Sequence, residues 1–200
     1  MIYLFIFLSY LIGSINFAYI VAKFKNLDIS SSGSGNPGTS NVMRTLGKKY
    51  AAFVLLGDVF KGILPILLFD QNLIIYGVAA VVGHIYPIFY KFKGGKGVAT
   101  YLGVYIAITI INPTESELFE NLYFLYLNIP LLVIFYFVIF KISRVSAIAS
   151  LTTVLFSNAL LIYEVDKTTD KLLITFIFVL ILIKHSENIK RLIQGNENKF

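Results

Sequence analysis

The sequence predicts an all-α integral membrane protein of seven transmembrane helices, with the N-terminus outside and the C-terminus in the cytoplasm. Three observations lead there. The 200 residues are 57% hydrophobic and only 14% charged, where soluble domains carry about 25% charge. The apolar residues recur in long uniform runs from end to end, which a soluble core does not explain. The cations alternate with those runs, which defines a sidedness.

The runs fall at approximately 2–22, 50–69, 73–90, 98–111, 122–140, 145–163 and 172–183. A perpendicular span takes about 20 residues, so the fourth and seventh are short and must borrow flanking residues or thin the bilayer locally. The first has no basic region before it and no small-residue cleavage site after it, and reads as a retained span rather than a signal peptide. With the N-terminus outside, the inner segments are 23–49, 91–97, 141–144 and 184–200. All of the chain's 17 Lys and Arg lie in them except Lys61, inside a span, and Lys167 and Lys171, in an outer loop. Dropping one span would scramble that alternation. The outer loops carry Asp70, Glu115, Glu117, Glu120, Glu164, Asp166 and Asp170. Residues 1–200 read as a single domain. No internal repeat suggests an inverted-repeat transporter.

Composition also excludes several chemistries. There is no cysteine, hence no disulfide or thiolate metal site, and the two histidines, His84 and His185, make no metal-ligand spacing. The net charge of +6 reflects cytoplasmic loops rather than a nucleic-acid surface. Glu120–Phe124 (ENLYF) runs straight into a span and reads as native. Asn112-Pro113-Thr114 is no glycosylation acceptor, because proline occupies its middle position.

Two short stretches carry the chemistry: Ser32–Thr45 (SGSGNPGTSNVMRT) and Lys91–Thr100 (KFKGGKGVAT). Glycine-rich loops let backbone N–H groups crowd around an anion, and Arg44, Lys93 and Lys96 add the charge that phosphate favours. The first stretch fits GxGxxG, and Asp58 follows Gly38 by 20 residues. A dinucleotide site is nevertheless excluded: no buried strand precedes the glycines, and Asp58 lies within a span. The bland alternative is a flexible linker. Asn41 and Arg44 weigh against it, since their i, i+3 spacing puts them together on a helix starting after Gly38, with N–H groups directed at the loop. The second stretch is not a Walker A loop, because position 90 is Tyr, and by itself it could be a basic surface turn.

Elsewhere, Asp58 and Lys61 are spaced to pair within the second span, as a structural ion pair or as part of a site. His84 and Pro87 are expected to shape the loop that follows them, and Gly13, Ser14 and Asn16 to pack helices closely. Ser143, Arg144 and Ser146 form one polar island. His185, Glu187, Asn188 and Arg191 form another, with His185 and Asn188 on one helix face; a solvated amphipathic tail is its alternative.

Taken in order, these stretches resemble the bacterial acyl-phosphate:glycerol-3-phosphate acyltransferases. The likeness rests on Gly13-Ser14-Ile15, Ser34-Gly35-Asn36-Pro37-Gly38 through Asn41-Val42 and Arg44, Asp58 with Lys61-Gly62, and Gly83-His84 with Pro87. It continues through Phe92–Thr100, Val145-Ser146, and His185 through Glu187-Asn188-Ile189 to Arg191. Thr39-Ser40-Asn41 departs from the usual Ala-Thr-Asn, Asn16 from a common Pro, and Arg144 from a common Tyr.

The resemblance implies transfer of an acyl chain from acyl phosphate to the 1-hydroxyl of glycerol 3-phosphate, giving lysophosphatidic acid and phosphate. It implies no cofactor or metal, and a multi-pass enzyme in the bacterial cytoplasmic membrane with its site facing the cytoplasm. On this reading the Gly33–Gly38 loop, with Ser34 and Asn36, takes the acyl-phosphate headgroup, and Gly35, Gly38, Ser40, Asn41, Lys93, Gly95 and Gly97 are further substrate-binding residues. Lys96 neutralises the departing phosphate. Arg44, Ser146, His185 and Asn188 hold glycerol 3-phosphate, with Lys96, His185 and Asn188 catalytic. The general base is either His185 or a substrate phosphate oxygen. No covalent nucleophile is evident. The partners are the two substrates and the lipid bilayer, with no nucleic acid; the sequence carries no signal of oligomeric state. The alternative, a phosphate or organophosphate transporter, predicts polar residues through the depth of several spans, whereas here they cluster at one face.

Overall fold

A computed structural model describes residues 1–69, 73–111 and 122–199. Asp70, Asn112-Pro113-Thr114, Glu115, Glu117 and Glu120 lie outside those residues. Every regular element described is helical. The chain divides into two compact units, Met1–Val104 and Tyr105–Phe200.

The first unit begins with α1 (Ile2–Ser14) and α2 (Phe17–Phe24), which together make one 23-residue apolar stretch with a break at Ile15 and Asn16. Asn16 makes the break. Its backbone is extended, and its side-chain Oδ1 accepts from Tyr19 N at 3.1 Å, the side-chain cap of a new helix. This role is distinct from the small-residue packing expected of Asn16. Gly13 does pack as expected: a Cβ there would strike the backbone of Ala80, and one on Gly83 would strike Tyr10 O. These two glycines let α1 approach α5 (Leu73–Ile85) backbone to backbone.

Between α2 and α5 lie α3 (Thr39–Thr45) and α4 (Lys48–Leu68). Ala18, Val21, Ala22, Ile29, Val42, Ala51 and Val54 form a buried cluster that seats α3 between its neighbours. A short 3₁₀ turn, Ile88–Tyr90, follows α5, and α6 (Val98–Ile106) follows the second glycine loop. The Tyr19 and Tyr90 rings stack at 4.5 Å, and Tyr10 Oη donates to Tyr86 O at 2.8 Å.

In the second unit a π-helical turn (Ala107–Ile111) precedes α7 (Leu122–Ser143), α8 (Ser146–Glu164), α9 (Thr168–Lys184) and α10 (Ser186–Ile193). Arg144, with φ of 55°, turns the chain between α7 and α8. Asn158 Nδ2 on α8 donates to Ile174 O on α9 at 3.0 Å. The axes of α9 and α10 differ by 53°.

Each predicted apolar segment is mainly helical where described, with breaks at Ile15 and Asn16 in the first and at Tyr86 and Pro87 in the third. Ile2–Phe24, Lys48–Leu68 and Ser146–Glu164 are long and apolar enough to cross a membrane, and α9 with α10 qualifies as a bent pair. The other apolar helical stretches, Ile74–Tyr90, Val98–Thr109 and Leu127–Ser143, span 10–17 residues where side chains are described. The seventh segment starts four residues before its expected position, at Thr168. Its polar first turn hides it from an apolar scan, yet Asp170 there suits the helix dipole.

Candidate functional site

The first glycine loop is built on two side chains. Asp28 opens it: its carboxylate accepts from Ser30 Oγ at 2.7 Å, Ser30 N at 2.9 Å and Ser31 Oγ at 3.0 Å. The Ser30 side chain and then its N–H, with help from Ser31, hold the Asp28 carboxyl below the usual carboxylate range. Asn41 closes the loop from the first turns of α3. It is buried, and its amide is committed to loop backbone: Oδ1 accepts from Ser34 N at 2.8 Å, while Nδ2 donates to Ser32 O at 2.9 Å and Ile29 O at 3.4 Å. Gly33, at φ of 58°, passes so close that a Cβ would strike Asn41 Oδ1. Ser34 is exposed, and Gly35, Asn36, Gly38 and Ser40 are half-buried. Arg44 stands exposed in the last turn of α3.

The second loop is anchored to the end of α5. Gly95 N donates to His84 O at 3.2 Å, and a Cβ on Gly95 would strike His84 Nε2. That same Cβ position is 3.2 Å from Pro37 O. The two glycine loops, 58 positions apart at these residues, therefore approach so closely that a methyl group on Gly95 would be in tight contact with Pro37 O. Gly97, at φ of 88°, turns the chain into α6, and its carbonyl accepts from Tyr101 N at 2.8 Å. Lys93 is exposed and Lys96 half-buried.

Beneath this close approach lies a buried polar cluster. Lys61 Nζ is 2.8 Å from Asp58 Oδ1, the pairing its i, i+3 spacing requires, and it donates to Ile15 O at 2.6 Å. His84 Nδ1 lies 3.6 Å from the same Asp58 oxygen. Asn16 Nδ2 donates to Pro37 O at 3.4 Å. No sequence pattern linked Asn16 to Pro37, because the contact spans 21 positions and an irregular loop.

In the second unit, Ser146 is the first residue of α8 and half-buried. His185 sits buried at the α9–α10 bend, with Nδ1 2.8 Å from Ile181 O. Asn188 is buried, and its Nδ2 donates to Glu197 Oε1 at 2.8 Å. Glu197 Oε2 accepts from Arg191 Nε at 2.8 Å. Sequence reasoning passed over Glu197. The usable signal was an acid after Arg191, in a stretch otherwise marked by Lys190, Arg191 and Lys199.

Exposed or half-buried cations thus flank two closely apposed loops of glycine backbone. Such an arrangement can bind phosphoryl oxygens and stabilise negative charge on them. Residues 3–195 match the family described as "Glycerol-3-phosphate acyltransferase".

The chain belongs to the glycerol-3-phosphate acyltransferase family.

It is an acyltransferase. The glycerol-3-phosphate acyltransferase of Hydrogenobaculum sp. is 42% identical over 199 residues, covering 96% of this chain and 93% of the relative. That of Aquifex aeolicus is 38% identical over 200 residues, covering 96% and 95%. Among solved structures, the glycerol 3-phosphate form of PlsY, an integral membrane glycerol 3-phosphate acyltransferase, matches with a TM-score of 0.82 and 34% identity, covering 98% of this chain and 94% of that one. The lysophosphatidic acid form of PlsY matches with a TM-score of 0.79. The acyltransferase reading is therefore favoured over the transporter, and the apolar helices are those of an integral membrane protein.

Proposed function

We propose that this acyltransferase takes its acyl group from acyl phosphate and delivers it to the 1-hydroxyl of glycerol 3-phosphate. The new ester C–O bond forms as the acyl C–O bond of the mixed anhydride breaks. Phosphate leaves, and the hydroxyl proton passes to His185 or to a substrate phosphate oxygen. Because phosphate is a good leaving group, positioning and charge stabilisation do most of the work. The observation that carries this reading is the close approach of Gly95 to Pro37 O, with no room for a side chain between them, which sets the two glycine loops side by side.

We assign the roles as follows. The Gly33–Gly38 loop, with Ser34, Gly35, Asn36 and Gly38, receives the acyl-phosphate headgroup, and Ser40, Lys93, Gly95 and Gly97 complete its surroundings. Asn41 serves it through the loop backbone. Lys96 neutralises the leaving phosphate. Arg44 binds glycerol 3-phosphate, and for Ser146, His185 and Asn188 we propose the same substrate.

Residues 1–200 act as one domain, crossing the bacterial cytoplasmic membrane seven times with the N-terminus outside and the site on the cytoplasmic face. The alternation of Lys and Arg along the sequence supports that topology. Proteoliposomes holding the purified protein test the function. Supplied with acyl phosphate and labelled glycerol 3-phosphate, they should form lysophosphatidic acid. Uptake of label without ester formation would refute the proposal.

A further inference from the structure

We infer that Asp58, Lys61 and His84 are positioning residues for acyl transfer, linking the break in the first span to the close approach of the two glycine loops. This rests on the reading of those loops as substrate-binding. The three side chains are 1%, 2% and 3% exposed and lie on α4 and at the end of α5.

Stability alone does not account for them. Burying an ion pair costs more desolvation than its attraction reliably returns, and apolar residues of similar volume usually serve as well or better. What the pair does here is specific. In a continuous helix, Ile15 O would accept from Tyr19 N. Asn16 takes that N–H instead, which orphans the Ile15 carbonyl, and Lys61 Nζ supplies the missing donor at 2.6 Å. The break is thereby stabilised. It also leaves Asn16 free to direct Nδ2 at Pro37 O, in the first glycine loop.

The other arm runs through Asp58. Its Oδ1 holds Lys61 at 2.8 Å and faces His84 Nδ1 at 3.6 Å. The far side of the His84 ring lies against Gly95, and the His84 carbonyl accepts the Gly95 N–H. Gly95 in turn lies close to Pro37 O. The circuit closes: from the broken span to the first loop, across to the second, down through His84 and Asp58, and back by Lys61. Each loop keeps its own internal hydrogen bonds, so loss of the circuit would shift one loop against the other without dismantling either. Misplacing reacting groups by about 1 Å can cost on the order of 100-fold in rate.

The test is the variant Asp58→Asn/Lys61→Met, which removes both charges together and so strands neither, with His84→Gln and Lys96→Ala alongside. Thermal melting, the folded fraction, and kcat and KM for both substrates are measured in full-length protein. The expected result for the double variant is a lower melting temperature, since the Ile15 carbonyl loses its donor, with KM values within about threefold and kcat down roughly 10- to 100-fold per folded molecule. His84→Gln should show the same split, and it decides the matter if the double variant does not fold. A kcat per folded molecule within about threefold of wild type would overturn the inference, whatever the melting temperature. Lys96→Ala separates the two levels. Full activity there removes the loop reading itself, whereas a crippled Lys96→Ala beside a normal double variant removes only the positioning role.

Discussion

Asn41 Oδ1 accepts a 2.8 Å hydrogen bond from Ser34 N, so a side chain of α3 holds the glycine loop seven residues before it. The same amide donates to Ser32 O at 2.9 Å. Replacing Asn41 with Ala removes both bonds and should loosen the loop by about 1–3 kcal/mol, seen as a raised KM for acyl phosphate. Asn41→Asp keeps the acceptor, loses the donor and buries a negative charge beneath an anion-binding loop. Its KM for acyl phosphate should exceed that of Asn41→Ala. The reverse order would show that the loop does not bind an anion.

Lys96→Ala should cripple turnover and leave the fold intact, because the residue lies in a glycine-flanked loop where truncation opens no core cavity. Losing one charge contact to the transition state costs about 3–4 kcal/mol, by analogy with oxyanion donors. Steady-state kinetics and melting of the purified variant check both parts. Near-normal kcat would remove Lys96 from the site.

Arg44→Lys keeps the charge but loses the planar fork that grips phosphate through paired contacts. The expected outcome is a rise of roughly tenfold in KM for glycerol 3-phosphate, equivalent to one charge-assisted hydrogen bond of about 1.5 kcal/mol. Unchanged saturation by glycerol 3-phosphate would place Arg44 elsewhere in the reaction.

Topology has its own test. The chain has no native cysteine, so single cysteines report without background. One at Lys93 should react with an impermeant thiol reagent only from the cytoplasmic side, and one at Asp166 only from outside. If both label from the same side of intact vesicles, the seven-span arrangement is wrong.

Much of this architecture was legible because its signals are local. Apolar runs located the helices, and glycines with nearby cations located both loops. The i, i+3 spacing of Asp58 and Lys61 foretold their 2.8 Å pairing. What stayed hidden depends on contacts between distant segments. Asn16 reads as a small packing residue until its side chain is seen capping α2 and reaching Pro37. Asn41 reads as a ligand because its type suits phosphate, yet its amide is committed to loop backbone. Glu197 lay beyond the last recognised motif, and only the fold of the tail brings it to Asn188 and Arg191.

The choice of acyl donor tests the central claim most directly. Glycerolphosphate acyltransferases that use acyl-CoA carry a His followed five positions later by Asp. Here Phe89 stands at that distance from His84, and Lys190 from His185. That His–Asp pair, the usual means of activating a hydroxyl against a thioester, is absent from the sequence, while a mixed anhydride is more reactive and presents a phosphate suited to the glycine loops. The measurement is lysophosphatidic acid formed by purified protein from glycerol 3-phosphate and either acyl phosphate or acyl-CoA of matched chain length. The predicted result is product from acyl phosphate alone. Comparable rates from both donors would contradict the account.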